Sequence, residues 1–346
     1  MKNVPNVSVI VPVYNEEKYI SIVLADLKRQ TIFNIEVICI DDGSTDQTPL
    51  IIEKTCKEDS RFRLIKTNHV GAGGARNLGM SEASGEYVVF LDGDDSFEPT
   101  MLEKSYEMCK KMKLDICIWD VVELDNGSQK KIMDTPHFRM ELFPPKTVFS
   151  GRESKFVFNM TSGAPWNKMY SREFLINGKI SFMQQKTFND IYMTYRAILV
   201  AERISVINEK LITYRIGNTS SLQGDRDKTI GDAFCAFEKI TNLVCCENAY
   251  SHIRSWKNYL VSCLYALFVS AKKDTTKEAI SNYTLSCNLL SNIVEKDIYD
   301  FNRAVWLTLN REMAIYYKRE YENLRMIRGY FCDSELQTVQ VAQQHS

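Results

Sequence analysis

The sequence predicts an α/β protein: an open, mostly parallel sheet flanked by helices, followed by an α-helical C-terminal domain. Three observations carry this. Apolar runs without alternation recur at VSVIVPV (7–13), IEVICI (35–40) and EYVVFL (86–91), with FRLIK (62–66) as a fourth strand. Unbroken apolar runs mark strands buried on both faces, as parallel sheets require. Helix-period segments over about 17–29, 46–58 and 72–83 separate them, which gives the β-α-β order of right-handed crossover units. From about 228 to Gly329, glycine and proline become rare and helical periods dominate.

The remaining elements follow from local signals. SFEPTMLEKSYEMCKKM starts a helix with Pro99 near its N-terminus. LDICIWDVVEL (114–124) reads as a strand, and the NG of LDNGSQKK suits a hairpin turn. Residues 134–150 carry three prolines and read as a loop. A helix is expected over 189–202, then two short strands, ISVI and LITY. The polar loop GNTSSLQGDRD places the domain boundary at 225/226, giving domains 1–225 and 226–346.

Composition narrows the function class. The 346 residues carry 43 Lys and Arg against 44 Asp and Glu, a net charge of -1, so nothing global attracts nucleic acid. Ten cysteines form no C-x-x-C pair and no zinc spacing, which suits free thiols in a reducing compartment. The N-terminus shows no signal-peptide pattern, and YLVSCLYALFVSA (259–271) is too short to span a bilayer. The expected location is cytoplasmic, with peripheral contact at the inner face of the membrane left open.

The chemistry is expected at the C-terminal ends of the strands, where open α/β sheets bind ligands. The first strand ends in PVYNEE, with Tyr14 and Glu16; the second in DDGSTD, with Asp41 and Asp42. After the third comes NHVGAGGARNLG, with Arg76 and Asn77; the fourth ends in DGDD, with Asp92, Asp94 and Asp95. Like charges crowded at one strand end are tolerated when a hard divalent cation shares them, typically with phosphate oxygens of a substrate. Such a cation would stabilise a diphosphate leaving group as a Lewis acid. The alternative is a solvated turn capping the next helix. GAGGAR is a poor dinucleotide fingerprint, because it lacks the third glycine and follows the third strand.

Taken together, VSVIVPVYNEEKYI, VICIDDGSTDQT, GAGGARNLGM and GEYVVFLDGDD resemble the family 2 glycosyltransferases of the GT-A fold. The likeness continues through PWNKMYSREFL (165–175) and FNDIYMTYRAILVAERISVINEKLITYR (188–215). The resemblance implies a nucleotide-diphosphate sugar donor, most readily a UDP-sugar, with Mn²⁺ or Mg²⁺ and transfer with inversion. It implies that Pro12, Tyr14, Glu16, Asp42 and Arg76 cradle the nucleoside, that Asp92 lies near ribose or metal, and that Asp94 ligates the metal. It puts the catalytic base at the Asp of a Glu-Asp pair, which here reads Asn189-Asp190, so the Glu is lost. Asp190 also fits the N-cap of the following helix, where an ionised carboxylate is favoured. Lys168 and Arg215 are candidates for the diphosphate or plain surface charges. Trp166 stacks on a sugar face or packs in the core, and Asn189 is a candidate acceptor or sugar contact.

The acceptor implied is a glycan, lipid-linked or protein-linked sugar in surface glycan biosynthesis. The stretch 301–331 is amphipathic and basic, which suits an anionic membrane surface, an extended acceptor, or packing against the core or a second copy of the chain. Two further readings stand beside the enzyme: a non-catalytic nucleotide-sugar-binding partner subunit, kept alive by Asn189, and a nucleotidyltransferase.

Overall fold

The structure is a computed structural model and describes residues 4–217, 226–247, 250–291, 297–300 and 302–303. It divides into two compact units, Met1–Trp256 and Lys257–Ser346.

The first unit is built on one mixed sheet in the order β3-β2-β1-β4-β8-β6-β9-β5, with β7 paired to β6. Strands β1 (Val7–Val13), β2 (Ile35–Asp41), β3 (Phe62–Lys66) and β4 (Tyr87–Phe90) are mutually parallel. Helices α1 (Ile20–Lys28), α2 (Thr48–Glu58) and α3 (Gly71–Glu82) connect them. Every residue of β1 except Pro12 is buried, as its unbroken apolar run requires. Burying each such aliphatic side chain contributes about 1.5–3 kcal/mol.

Beyond β4 come β5 (Ser96–Phe97), α4 (Met101–Met112), β6 (Ile116–Asp125) and β7 (Lys131–Ile132). Then follow β8 (Lys168–Ser171), α5 (Arg172–Asn177), α6 (Ile191–Val200) and β9 (Ile204–Ile216). The two short strands expected after α6 are one continuous strand. It runs parallel to β6 with register shifts around Asp120, so the polar stretch between ISVI and LITY is an irregularity within the ladder and not a turn. Strand β8 lies antiparallel between β4 and β6, making the sheet mixed beyond β4.

Chain order reverses at β1, which has β2 on one side and β4 on the other. The β1–β4 ladder ends at Ile10 and Phe90. Pro12, which lacks an N–H, falls just beyond that end, so the missing donor costs no ladder bond there. The two strands part at this point and open the crevice of a topological switch.

Helix α7 (Arg226–Glu247) belongs to this unit. The Phe237 ring meets Phe188 at 6.0 Å and Trp256 at 6.1 Å, and Trp256 meets Phe158 at 5.0 Å. The first compact unit thus runs to Trp256 and includes α7, which lies beyond the expected 225/226 boundary.

The second unit contains the remainder of α8 (Tyr250–Ser270), with α9 (Asp274–Ser286) and α10 (Asn288–Ser291). Asn258 organises it, donating to the Asp297 carbonyl at 2.8 Å and accepting from the Tyr299 amide at 2.8 Å. No helix among the described residues is long and apolar enough to cross a membrane. Apart from residues 302–303, the amphipathic stretch 301–331 lies outside the described residues.

Candidate active site

The loops after β1 and β2 are laced together by short polar side chains. The Asn15, Glu16 and Glu17 amides donate to Ser44 Oγ, Thr48 Oγ1 and an Asp46 carboxylate oxygen, at 2.9, 2.8 and 3.1 Å. Asn15 adopts a left-handed φ of 56°, a conformation Asn tolerates. This lacing presents Tyr14 outward, 43% exposed, and turns Glu16 inward. The Tyr14 ring lies 4.8 Å from that of His69, on the loop after β3. His69 reads from sequence as a surface residue, and nothing in its neighbours signals the pairing.

Asp42 is buried, and its two carboxylate oxygens accept the Val70 and Gly71 amides at 2.7 and 2.8 Å. It thereby caps the start of α3, where unpaired amides and the helix dipole favour an anion. The glycines of GAGGAR act in packing. A Cβ on Gly73 would lie 2.3 Å from the Met183 carbonyl oxygen and 2.9 Å from Asn189 Cβ. Only a bare backbone lets the 183–189 loop close on α3. Gly73→Ala is expected to cost about 1–3 kcal/mol by overpacking and to displace Asn189-Asp190, read as a lower denaturation midpoint together with a lower turnover number.

Arg76 is the hub of the crevice. It is 6% exposed, lies 5.4 Å from the Phe182 ring centroid, and donates to Asp92 Oδ1 at 2.6 Å and Asn189 Oδ1 at 3.1 Å. The loop after β4 supplies Asp92, and the loop before α6 supplies Asn189, so one guanidinium joins two segments. Its field also reaches Asp190, whose carboxyl is pushed up by burial, pulled back by Arg76 and raised again by Asp92. Asp190 occupies the N-cap position of α6, yet its side chain makes no capping hydrogen bond.

The acids feel one another. Burial, then Asp94 and Asp92, push the Glu16 carboxyl up to about 8. Asp95 is 1% exposed and is raised well above the usual range by burial and by the same two neighbours. Its Oδ1 accepts the Arg215 amide at 3.0 Å, while Oδ2 is buried without a hydrogen-bond partner. Crowded carboxylates and an orphaned buried oxygen fit a hard divalent cation. Among the described residues no three His, Cys, Asp or Glu side chains converge as a complete ligand set. The residues present suit a cation bound by one or two carboxylates, with substrate phosphate completing its shell.

Two expected contacts lie elsewhere. Lys168 is fully buried and donates to the Ser162 and Ala164 carbonyls and to Asn167 Oδ1, at 3.0, 2.8 and 2.6 Å. Burial holds its pKa well below the usual lysine value. With no donor to spare it is not placed to meet a diphosphate; it pins the 162–164 turn. Trp166 is 3% exposed and stacks on Tyr214 at 4.7 Å, so it packs in the core and not on a sugar. Sequence left both alternatives open because burial is a property of the folded chain. Lys168→Met is expected to lower unfolding free energy by about 2–4 kcal/mol, since three buried acceptors lose their donor. Denaturant titration measures this, and UDP affinity of the folded variant is expected to stay unchanged.

The glycosyl transferase family 2 model matches residues 8–178. A putative glycosyltransferase, EpsH, of Bacillus subtilis strain 168 is 32% identical over 68% of this chain and 67% of its own length. The glycosyltransferase GlyG of Streptococcus pneumoniae serotype 4 is 30% identical over 64% of this chain and 74% of its own. The chain belongs to glycosyl transferase family 2. Among solved structures, that of Staphylococcus aureus TarS superposes with a TM-score of 0.66 at 22% identity, covering 92% of this glycosyltransferase and 54% of that chain. The likeness to TarS supports the fold: a mixed sheet flanked by helices, with helices at the C-terminal side. The glycosyltransferase spans just over half of the TarS chain.

Proposed function

We propose that this glycosyltransferase moves a sugar, with inversion, from a UDP-sugar to a hydroxyl of a glycan, lipid-linked or protein-linked acceptor in surface glycan biosynthesis. The observation that carries it is the Arg76 hub, which brings Asp92, Asn189 and Asp190 from separate segments to the crevice that also collects Glu16, Asp94 and Asp95. Tyr14 and His69 offer aromatic faces for a nucleobase, and Pro12 and Asp42 are assigned to the same nucleoside site. TarS has been solved with UDP and with UDP-GlcNAc, which makes UDP-GlcNAc the first donor to test.

Asp92 and Asp94 would hold Mn²⁺ or Mg²⁺. When bound, the cation supplies charge stabilisation to the departing diphosphate. Asp190 accepts the proton of the acceptor hydroxyl as that oxygen attacks the anomeric carbon from the face opposite UDP. Arg76 holds Asp92, and its charge draws the Asp190 carboxyl back toward ionisation against the effect of burial. Asn189 argues less for a non-catalytic subunit than its sequence suggests. As an amide it still accepts from Arg76, and it leaves the guanidinium charge to Asp92 and Asp190. The helices after the catalytic unit are assigned to acceptor handling, membrane-surface contact or self-association.

Thermal-shift and calorimetric titration with UDP-GlcNAc, with and without Mn²⁺, tests the donor reading. Stabilisation by mass action that requires the cation is expected. Absence of any UDP binding with either cation would sink it.

A further inference from the structure

We propose that Arg215 is a positioning residue for the acidic loop. In this role it is held by Tyr19 and Asn126 and sets the geometry in which Asp94 meets a divalent cation. The inference rests on the metal-binding reading above.

Four segments meet at Arg215, all within the first unit. Its backbone amide donates to Asp95 Oδ1 at 3.0 Å, and its Nε donates to the Asp94 carbonyl at 3.0 Å. One residue of β9 therefore grips both consecutive residues of the acidic loop, one through a side chain and one through the backbone. Asp94's carboxylate springs from the peptide so held. The guanidinium lies 4.7 Å from the Tyr19 ring centroid, at the entry to α1. Its Nη1 reaches Asn126 Oδ1 at 3.4 Å, in the β6–β7 turn. Asn126 in turn donates to the Tyr19 hydroxyl at 2.9 Å and, through its backbone amide, to the Ile216 carbonyl at 2.9 Å.

The arrangement is closed: Tyr19 and Asn126 fix each other and together fix the guanidinium. Stacking and a planar fork orient an arginine in a way that an ammonium cannot match. Asp95 is buried next to Asp94, so Arg215 grips the loop from inside the fold. A contact to substrate diphosphate would not require Nε to be spent on the Asp94 carbonyl.

The test uses the full chain and Mn²⁺, counting free ion by electron paramagnetic resonance in the presence of UDP, with UDP affinity measured separately in chelator. Arg215→Ala is expected to weaken Mn²⁺ binding about tenfold or more, as loss of an outer partner of a metal ligand does. UDP affinity in chelator is expected to hold. Arg215→Lys should recover little, and Asn126→Ala and Tyr19→Phe should each weaken Mn²⁺ binding by a smaller factor. If Arg215→Ala fails to fold, the Asn126 and Tyr19 variants decide. Mn²⁺ affinity unchanged in the variants, with UDP affinity in chelator lost in Arg215→Ala, would overturn the proposal in favour of direct diphosphate contact. Wild-type protein that binds no Mn²⁺ would overturn the metal reading itself, a result distinct from variants that leave wild-type-like cation binding intact.

Discussion

Asp190→Asn is expected to lower the turnover number by about 10²–10⁴, the usual contribution of a positioned general base, while UDP affinity and the unfolding midpoint stay near wild type. The structure supports such a separation of effects. The Asp190 side chain makes no capping hydrogen bond into α6, so a neutral amide at this position should still start the helix. Burial and Asp92 raise its pKa, and Arg76 opposes them. The ionised form is the base, so turnover should rise with pH through that raised value and flatten above it. Removing Arg76 should move this acid limb to higher pH, because the carboxylate loses its nearest positive charge. A pH profile of single-turnover rates reads both effects. An Asp190→Asn enzyme that turns over at the wild-type rate would remove the residue from the mechanism.

Much of this site was legible in the sequence because strand ends are where a parallel sheet exposes its chemistry. Unbroken apolar runs located β1, β2 and β4, and the polar residues following each run landed at one crevice. Strand-end position alone puts Glu16, Arg76, Asp92 and Asp94 together, and the structure brings them close. What failed to show was burial and pairing across the chain. Nothing around Pro165 decides whether Trp166 and Lys168 are buried, yet Lys168 lies on β8 between β4 and β6 and both side chains are buried. The two bonds from Asp42 to the start of α3 are likewise pairings across the chain. His69 and Asn126 were missed because their partners, Tyr14 and Arg215, lie far away in the chain. The Gly- and Ser-rich stretch before α7 reads as a linker, yet the aromatic contacts of Phe237 with Phe188 and Trp256 put α7 in the first compact unit.

Asp94→Ala is expected to abolish the cation-dependent part of UDP binding while leaving the fold intact. Removing one of several crowded acids relieves repulsion, so stability without cation should hold or rise. The Glu16 carboxyl, raised to about 8 from 4.5, should relax toward its ordinary value, since Asp94 is the largest charge acting on it after burial. The sign of the pH dependence follows. In the folded wild-type protein Glu16 keeps its proton up to about 8, whereas the unfolded chain loses it near 4.5. The folded state thus binds more protons across that window, and its stability without cation should fall as pH rises from about 4.5 to about 8. A divalent cation shared by the acids reverses this penalty, so the thermal shift produced by Mn²⁺ with UDP should grow with pH through the same window. In Asp94→Ala the growth should vanish along with the shift. A variant that keeps the full Mn²⁺-dependent shift at every pH would show that the acids are held together by something other than a shared cation.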